Sequence, residues 1–130
     1  MRRLILAVAL ALVAAPALAQ DSVPVHFGDY PDLDACLSQG EVRGLNPNGD
    51  NFLAVREGPG SDYSKIDEVY EGQWIILCEE AEGGAWFGIV YDPTGTLDCG
   101  TGSPIAERRD YDGPCPSGWV SSKFITMLAG

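Results

Sequence analysis

The chain has 130 residues and a formal net charge of −11, with 19 acidic and 8 basic residues. This length suits one small domain. Phosphate backbones and anionic lipid surfaces attract Lys and Arg and repel an acidic surface, so the charge argues against binding to nucleic acid or to a membrane surface.

The first nineteen residues are predicted to be a signal peptide. Arg2 and Arg3 form a positive start, residues 4–15 are apolar, and residues 17–19 (Ala-Leu-Ala) form a small-residue cleavage site. An uncleaved anchor is the alternative, but the apolar run is shorter than the roughly 20 residues of a membrane span. Cleavage leaves 6 basic and 19 acidic residues, a net charge of −13. We therefore expect a periplasmic or secreted protein with no membrane insertion after cleavage.

Residues 20–43 follow the signal and are rich in Asp and Pro. They are predicted to form an irregular N-terminal extension with one helical turn over Ala35–Gln39. A first strand is predicted over Glu41–Leu45, followed by a turn at residues 46–50 (Asn-Pro-Asn-Gly-Asp). The spacing of oxygen side chains there partly fits a calcium loop. Asn51 stands where that loop needs Gly, so a simple turn is the better interpretation.

A second strand is predicted over Phe52–Arg56, where alternation places Leu53 and Val55 on the interior face. The Gly58-Pro59-Gly60 turn follows it. Ile66 and Val69 come next and are both expected to add interior contacts.

The next strand, Trp74–Cys78, has Ile75 and Leu77 on one face and Trp74, Ile76 and Cys78 on the other. Such an outer apolar face needs a cover, and the extension, which contains Cys36, is expected to supply it. After a turn at residues 82–84 comes a strand at residues 86–91, with Phe87, Ile89 and Tyr91 on one face.

All four cysteines, Cys36, Cys78, Cys99 and Cys115, lie after the signal. An even count in a small exported chain predicts two disulfides. A zinc site is the rival, but the chain has no Cys-x-x-Cys pair and only one histidine. We expect no metal or other cofactor. Four cysteines allow three connectivities; the covered outer face favours Cys36–Cys78, which leaves Cys99–Cys115.

Two motifs match a known family in the correct order. Residues 53–63 read Leu-Ala-Val-Arg-Glu-Gly-Pro-Gly-Ser-Asp-Tyr, and residues 118–120 read Gly-Trp-Val. This pattern resembles the bacterial SH3-like (SH3b) domain, a small β-barrel of cell-envelope proteins. The resemblance implies an all-β SH3-like barrel over residues 44–130, with residues 20–43 as a disulfide-linked extension.

Residues 92–117 form a 26-residue insertion where the family has a tight hairpin. Loops longer than about 15 residues are usually functional or disordered. Cys99 and Cys115 lie near its two ends, and closing a loop of that size contributes about 3 kcal/mol. A disulfide-closed insertion is therefore expected.

The resemblance also implies a groove that receives an extended peptide and is lined by aromatic residues; the matching positions are Tyr63, Trp86 and Trp119. Core packing is the alternative role for the two tryptophans. Further contact candidates lie in the insertion, where Arg has the geometry to bind carboxylates, although a solvated loop tip is the alternative: Arg108, Arg109 and Tyr111.

A catalytic function is not expected. The one histidine, His26, lies in the extension, away from any recognisable nucleophile motif. The resemblance implies a non-enzymatic cell-envelope module that binds peptidoglycan or its peptide stems. The alternatives are a module that binds a protein segment, for which the charge favours a basic partner, and a small structural or inhibitory protein.

Overall fold

The fold is described from a computed structural model covering residues 4–5, 7–12 and 20–129. Arg2, Arg3 and the predicted cleavage site at residues 17–19 lie outside the described residues. The described residues before residue 13 are exposed and have no regular secondary structure. In the described ranges, no helix is long and apolar enough to cross a bilayer.

The fold is all-β, and within residues 20–129 it has short 3-10 turns at Glu82–Gly84 and Ser122–Phe124. The strands in this range are β1 (His26–Phe27), β2 (Ser38–Val42), β3 (Phe52–Arg56), β4 (Lys65–Tyr70), β5 (Trp74–Ala81), β6 (Trp86–Val90), β7 (Arg109–Asp110), β8 (Ser117–Ser121) and β9 (Ile125–Ala129).

Seven of these strands form one antiparallel sheet in the order β4-β3-β8-β6-β5-β2-β9. The edge strands β4 and β9 are not paired with each other in the described residues, so the sheet does not close into a barrel. It is nevertheless curled, because Val69 of β4 and Ile125 of β9 pack against the same core. The buried residues of that core are Val42, Leu53, Val55, Val69, Ile75, Leu77, Phe87, Ile89, Tyr91 and Val120.

Strand alternation accounts for most of this core. The predicted strand Phe52–Arg56 is confirmed, and Leu53 and Val55 are buried as expected. The prediction for Ile66 is wrong, because its residue is 49% exposed while Val69 is fully buried. The two residues are three apart in β4, and side chains at odd separations in a strand point to opposite faces.

The start of the main sheet differs from the prediction. The expected helical turn over Ala35–Gln39 is absent, and the strand expected at Glu41–Leu45 is β2, Ser38–Val42. Its residues pair with β5 on one side and β9 on the other. These long-range hydrogen bonds override the local preference of the sequence. The sheet therefore begins inside the segment that was predicted to be an extension.

The part of the extension before β2 (residues 20–37) and the insertion together form a second layer on the outer face of the sheet. Strand β1 of the extension pairs with β7 of the insertion. Four further backbone hydrogen bonds join the two segments: Tyr30 N–H to the Ile105 carbonyl (3.2 Å), Ala35 N–H to the Ser103 carbonyl (3.1 Å), Cys36 N–H to the Thr101 carbonyl (3.4 Å) and Tyr111 N–H to the Val25 carbonyl (2.8 Å).

A glycine permits the close approach of these two segments. Gly28 has φ +89°, and a Cβ at this position would lie 2.4 Å from the Glu107 carbonyl oxygen. Any other residue would therefore separate the extension from the insertion.

The disulfides are Cys36–Cys78 and Cys99–Cys115, the pairs expected from the sequence. The first joins the extension to β5, where Ile76 and Cys78 pack against Phe27 and Ala35. The second closes the insertion, and its sulfurs pack against Val90 of β6. Two disulfides indicate an oxidising, non-cytoplasmic environment.

Candidate functional site

Trp119, one of the three expected groove aromatics, is buried beneath the extension. Its residue is 2% exposed, and its indole N–H donates a hydrogen bond to the Val23 carbonyl (2.8 Å). The indole lies over Gly88, where a Cβ would come within 3.3 Å of the ring and 3.2 Å of Val25. Trp119 therefore fixes the extension onto β6 and β8 and does not line an open groove.

Trp86 and Tyr63 are both half-buried. Trp86 pairs with Ser121 on the neighbouring strand. Tyr63 packs on the Gly-Pro-Gly turn, where a Cβ on Gly58 would lie 2.3 Å from its ring. The Tyr63 carbonyl accepts a hydrogen bond from Arg56 (2.9 Å). With Trp119 covered, the three aromatics do not form one open groove.

The three insertion candidates hold the second layer together. Arg108 donates to Glu79 of β5 (2.7 Å), and the Arg109 guanidinium lies 5.4 Å from the centre of the Phe27 ring. Tyr111 packs edge-on against the same ring, with centroids 5.2 Å apart. Burial raises the pKa of the Tyr111 hydroxyl, which donates to a backbone carbonyl inside the insertion. These contacts give all three residues a structural role.

His26 is part of the same layer. Its Nδ1 lies 3.1 Å from a Glu79 carboxylate oxygen, which also accepts the His26 backbone N–H (2.9 Å). Its Nε2 lies 3.1 Å from a carboxylate oxygen of Asp110. Both ring nitrogens therefore face carboxylates, and the side chain joins β1, β5 and β7.

A groove remains open on the outer face of β3, and we call it the Phe52 groove. Alternation along β3 turns Phe52, Ala54 and Arg56 outward while Leu53 and Val55 enter the core. The small side chain of Ala54 leaves room between its neighbours. The groove has a volume of about 530 Å³, and its lining residues include Leu45, Asp50, Phe52, Ala54, Arg56, Lys65 and Phe124.

The charges of the Phe52 groove run against those of the whole chain. Lys65 lies 4.6 Å from the centre of the Phe52 ring, a cation–π distance, and its ammonium also contacts Glu68 (2.6 Å). With Arg56 it places two cations against one lining carboxylate, Asp50. The groove lining thus combines aromatic side chains with two cations and one carboxylate, and Lys65 is also paired with Glu68 outside the lining.

Sequence reasoning did not single out Phe52 or Lys65. The outward position of Phe52 in the alternating run was the available signal, but its proximity to Lys65 depends on the pairing of β3 with β4. The expectation for Trp74 also needs correction. The cover reaches Ile76 and Cys78, whereas Trp74 remains 63% exposed.

Comparisons with protein-family models, with curated proteins and with solved structures return no match. Among the residues that the structure describes, no group of His, Cys, Asp and Glu side chains is arranged to hold a metal ion. Function is therefore inferred from the geometry and charge of the open grooves.

Proposed function

We propose that this protein is an exported, non-enzymatic binding module of the bacterial SH3-like type. Its ligand is a carboxylate-bearing extended peptide, with the peptide stems of peptidoglycan as the leading candidate, and the Phe52 groove receives it. The two sequence motifs support the family. The curled antiparallel sheet around a single core is compatible with an SH3-like architecture whose edges remain open.

The observation that carries the proposal is the local charge of the groove. Residues 20–130 have a net charge of −13 and only six basic side chains, yet two of the six line the Phe52 groove. A carboxylate that reaches Arg56 and Lys65 gains charge-assisted contacts. The overall charge repels the same ligand at long range, but physiological salt screens this repulsion beyond about 8 Å.

The shape of the groove favours an extended chain. Phe52 and Phe124 provide flat apolar surfaces, and the small Ala54 between Phe52 and Arg56 leaves a channel along β3. Aromatic side chains contribute large contact areas with little loss of conformational freedom. A peptide backbone can lie along such a channel while its carboxylate contacts the cationic end.

The test is co-sedimentation of the oxidised mature protein with isolated peptidoglycan at low and at physiological salt. We expect binding that strengthens as salt screens the long-range repulsion. Lys65→Gln should weaken binding about fivefold at either salt, the effect of about 1 kcal/mol from one partly exposed ion pair. Ala54→Phe should block the channel and remove binding, while its outward position leaves the core intact.

The matched control is Lys123→Gln, which changes the net charge equally but alters a side chain outside the groove lining. Near-ultraviolet circular dichroism of every variant checks the fold. Equal binding by Ala54→Phe and the unmodified protein would exclude this groove as the binding site. No sedimentation at either salt would exclude peptidoglycan as the ligand and favour a protein segment or a structural role.

A further inference from the structure

The outer face of β5 begins with an uncovered tryptophan beside an uncovered leucine. Trp74 is 63% exposed and Leu97, in the first part of the insertion, is 49% exposed. Both line a groove of about 390 Å³, which we call the Trp74 groove; its other lining residues include Gln39, Asp92, Asp98 and Thr101. Adjacent exposed apolar side chains of this size mark interaction surfaces more often than isolated ones do.

The part of the Trp74 groove that the insertion contributes is held in place before any partner binds. Asp92 accepts hydrogen bonds from the backbone N–H groups of Leu97 (2.7 Å) and Thr94 (2.9 Å). The Cys99–Cys115 disulfide anchors the segment just beyond it. A wall that is already ordered loses little conformational entropy on binding, so more of the contact energy appears as affinity.

The groove is negatively charged as well as apolar. Asp92 and Asp98 both line it, and no Lys, Arg or His is among its described lining residues. The donors that these carboxylates accept from are uncharged backbone and hydroxyl groups, so the negative charge is not neutralised. Donation from the Leu97 amide above all lowers the pKa of Asp92 to about 2, which keeps this carboxylate ionised.

An exposed indole, an apolar neighbour and two carboxylates together favour a basic side chain as the ligand of this groove. An Arg or Lys head group stacks on an exposed indole through a cation–π contact and pairs with a nearby carboxylate, while its aliphatic stem packs on an apolar neighbour. The overall charge of −13 attracts a basic partner and steers its approach. The same charge disfavours a second copy of this chain, because each copy would bring its own acidic surface.

We propose that the Trp74 groove is a second binding site, which docks an extended, Arg- or Lys-bearing segment of a partner protein. One basic side chain stacks on Trp74 and pairs with Asp98, and its stem contacts Leu97. The site is separate from the Phe52 groove in residues, in sign of charge and in ligand class, and it stands whether or not the protein binds peptidoglycan.

The test uses the oxidised mature protein and a fluorescently labelled octapeptide of alternating Arg and Ser, with a Glu–Ser octapeptide as the reversed-charge probe. Binding is measured by fluorescence anisotropy at physiological salt. We expect the Arg peptide to bind and the Glu peptide not to bind. Trp74→Leu keeps an apolar side chain but removes the π face, so we expect about fivefold weaker binding. Asp98→Asn should weaken binding to a similar extent.

Asp62→Asn is the matched control, because it makes the same charge change at an exposed position in the turn before Tyr63. Equal weakening by Asp62→Asn and Asp98→Asn would mean diffuse attraction to the acidic surface and would overturn the proposal. Unchanged affinity in Trp74→Leu would do the same. Sedimentation velocity tests whether a second copy of the chain occupies the groove. A dimer that Trp74→Leu converts to monomer would show this and would refute a basic partner.

Discussion

The two disulfides close loops of very different length, and this difference predicts which disulfide stabilises the protein more. Cys36 and Cys78 are 42 residues apart, whereas Cys99 and Cys115 are 16 apart. Loop-closure entropy in the unfolded chain then gives about 4 kcal/mol for the first bridge and about 3 kcal/mol for the second. We expect the Cys36→Ala/Cys78→Ala variant to be the less stable of the two double variants.

The first bridge also holds the second layer on the sheet. Cys36 and Cys78 pack with Phe27, Ala35 and Ile76 between the extension and β5. Removing this bridge therefore weakens a buried apolar contact and also frees the unfolded chain from the loop constraint. The loss of about 4 kcal/mol in unfolding free energy is thus a lower bound. For a domain of about 110 residues, this loss corresponds to a fall in Tm of roughly 15 °C.

Urea unfolding followed by tryptophan fluorescence measures the loss, because Trp119 is buried under the extension and becomes exposed on unfolding. Detachment of the extension in the native state would lower the m-value, since less surface would remain to be exposed. The unmodified protein under a thiol reductant is the control that breaks both bridges without removing sulfur atoms. A larger loss in Cys99→Ala/Cys115→Ala than in Cys36→Ala/Cys78→Ala would refute the reasoning from loop length.

Three smaller predictions concern the sheet and the insertion. Tyr91→Phe should lower the free energy of unfolding in urea by about 1 kcal/mol, because it removes the buried hydroxyl that donates a 2.6 Å hydrogen bond to Asp67, while the exposed Asp67 carboxylate regains water. An unchanged free energy of unfolding would mean that this bond does not stabilise the fold. Asp92 has a pKa lowered to about 2 from 3.8, chiefly by the Leu97 amide, so the unfolded chain binds the proton more tightly. The stabilisation from ionised Asp92 is thus complete above about pH 4 and is lost as the pH falls toward 2. Asp92→Asn should therefore make the free energy of unfolding depend less on pH in this window. An unchanged pH dependence would contradict the lowered pKa of Asp92. Gly88→Ala should cost about 1–3 kcal/mol by thermal unfolding, because its methyl would lie 2.8 Å from the Glu79 side chain, 3.2 Å from Val25 and 3.3 Å from the buried Trp119 indole; wild-type stability would show that these neighbours move aside without cost.

Local alternation was sufficient to predict which residues are buried in strands with one face against the core. The alternation over Phe52–Arg56 placed Leu53 and Val55 correctly, and the same rule placed Ile75 and Leu77. Reading Ile66 and Val69 as both interior failed because it disregarded the period of two. The Cys36–Cys78 pair was favoured because the outer face of β5 needed a cover and the extension that contains Cys36 could supply it; Cys99–Cys115 then remained, and both pairs are confirmed.

The tertiary structure decided the position of β2 and the role of Trp119. Strand β2 is set by pairing with β5 and β9, which are distant in sequence. Trp119 matches a groove position of the family motif, but the extension reaches across the sheet, and its Val23 carbonyl accepts the indole N–H. No local signal reports that two segments 96 residues apart meet in this way.

By itself, the sequence determined an all-β chain with two disulfides and an acidic surface, because side-chain alternation, cysteine count and charge are properties of neighbouring residues and of composition. Only the tertiary structure decided which grooves stay open. The extension and the insertion cover one part of the outer face and leave Phe52 and Trp74 accessible. The physical reason is that the accessibility of a groove depends on how much of the sheet the second layer covers. That coverage is set by long-range pairing between segments that are distant in the sequence.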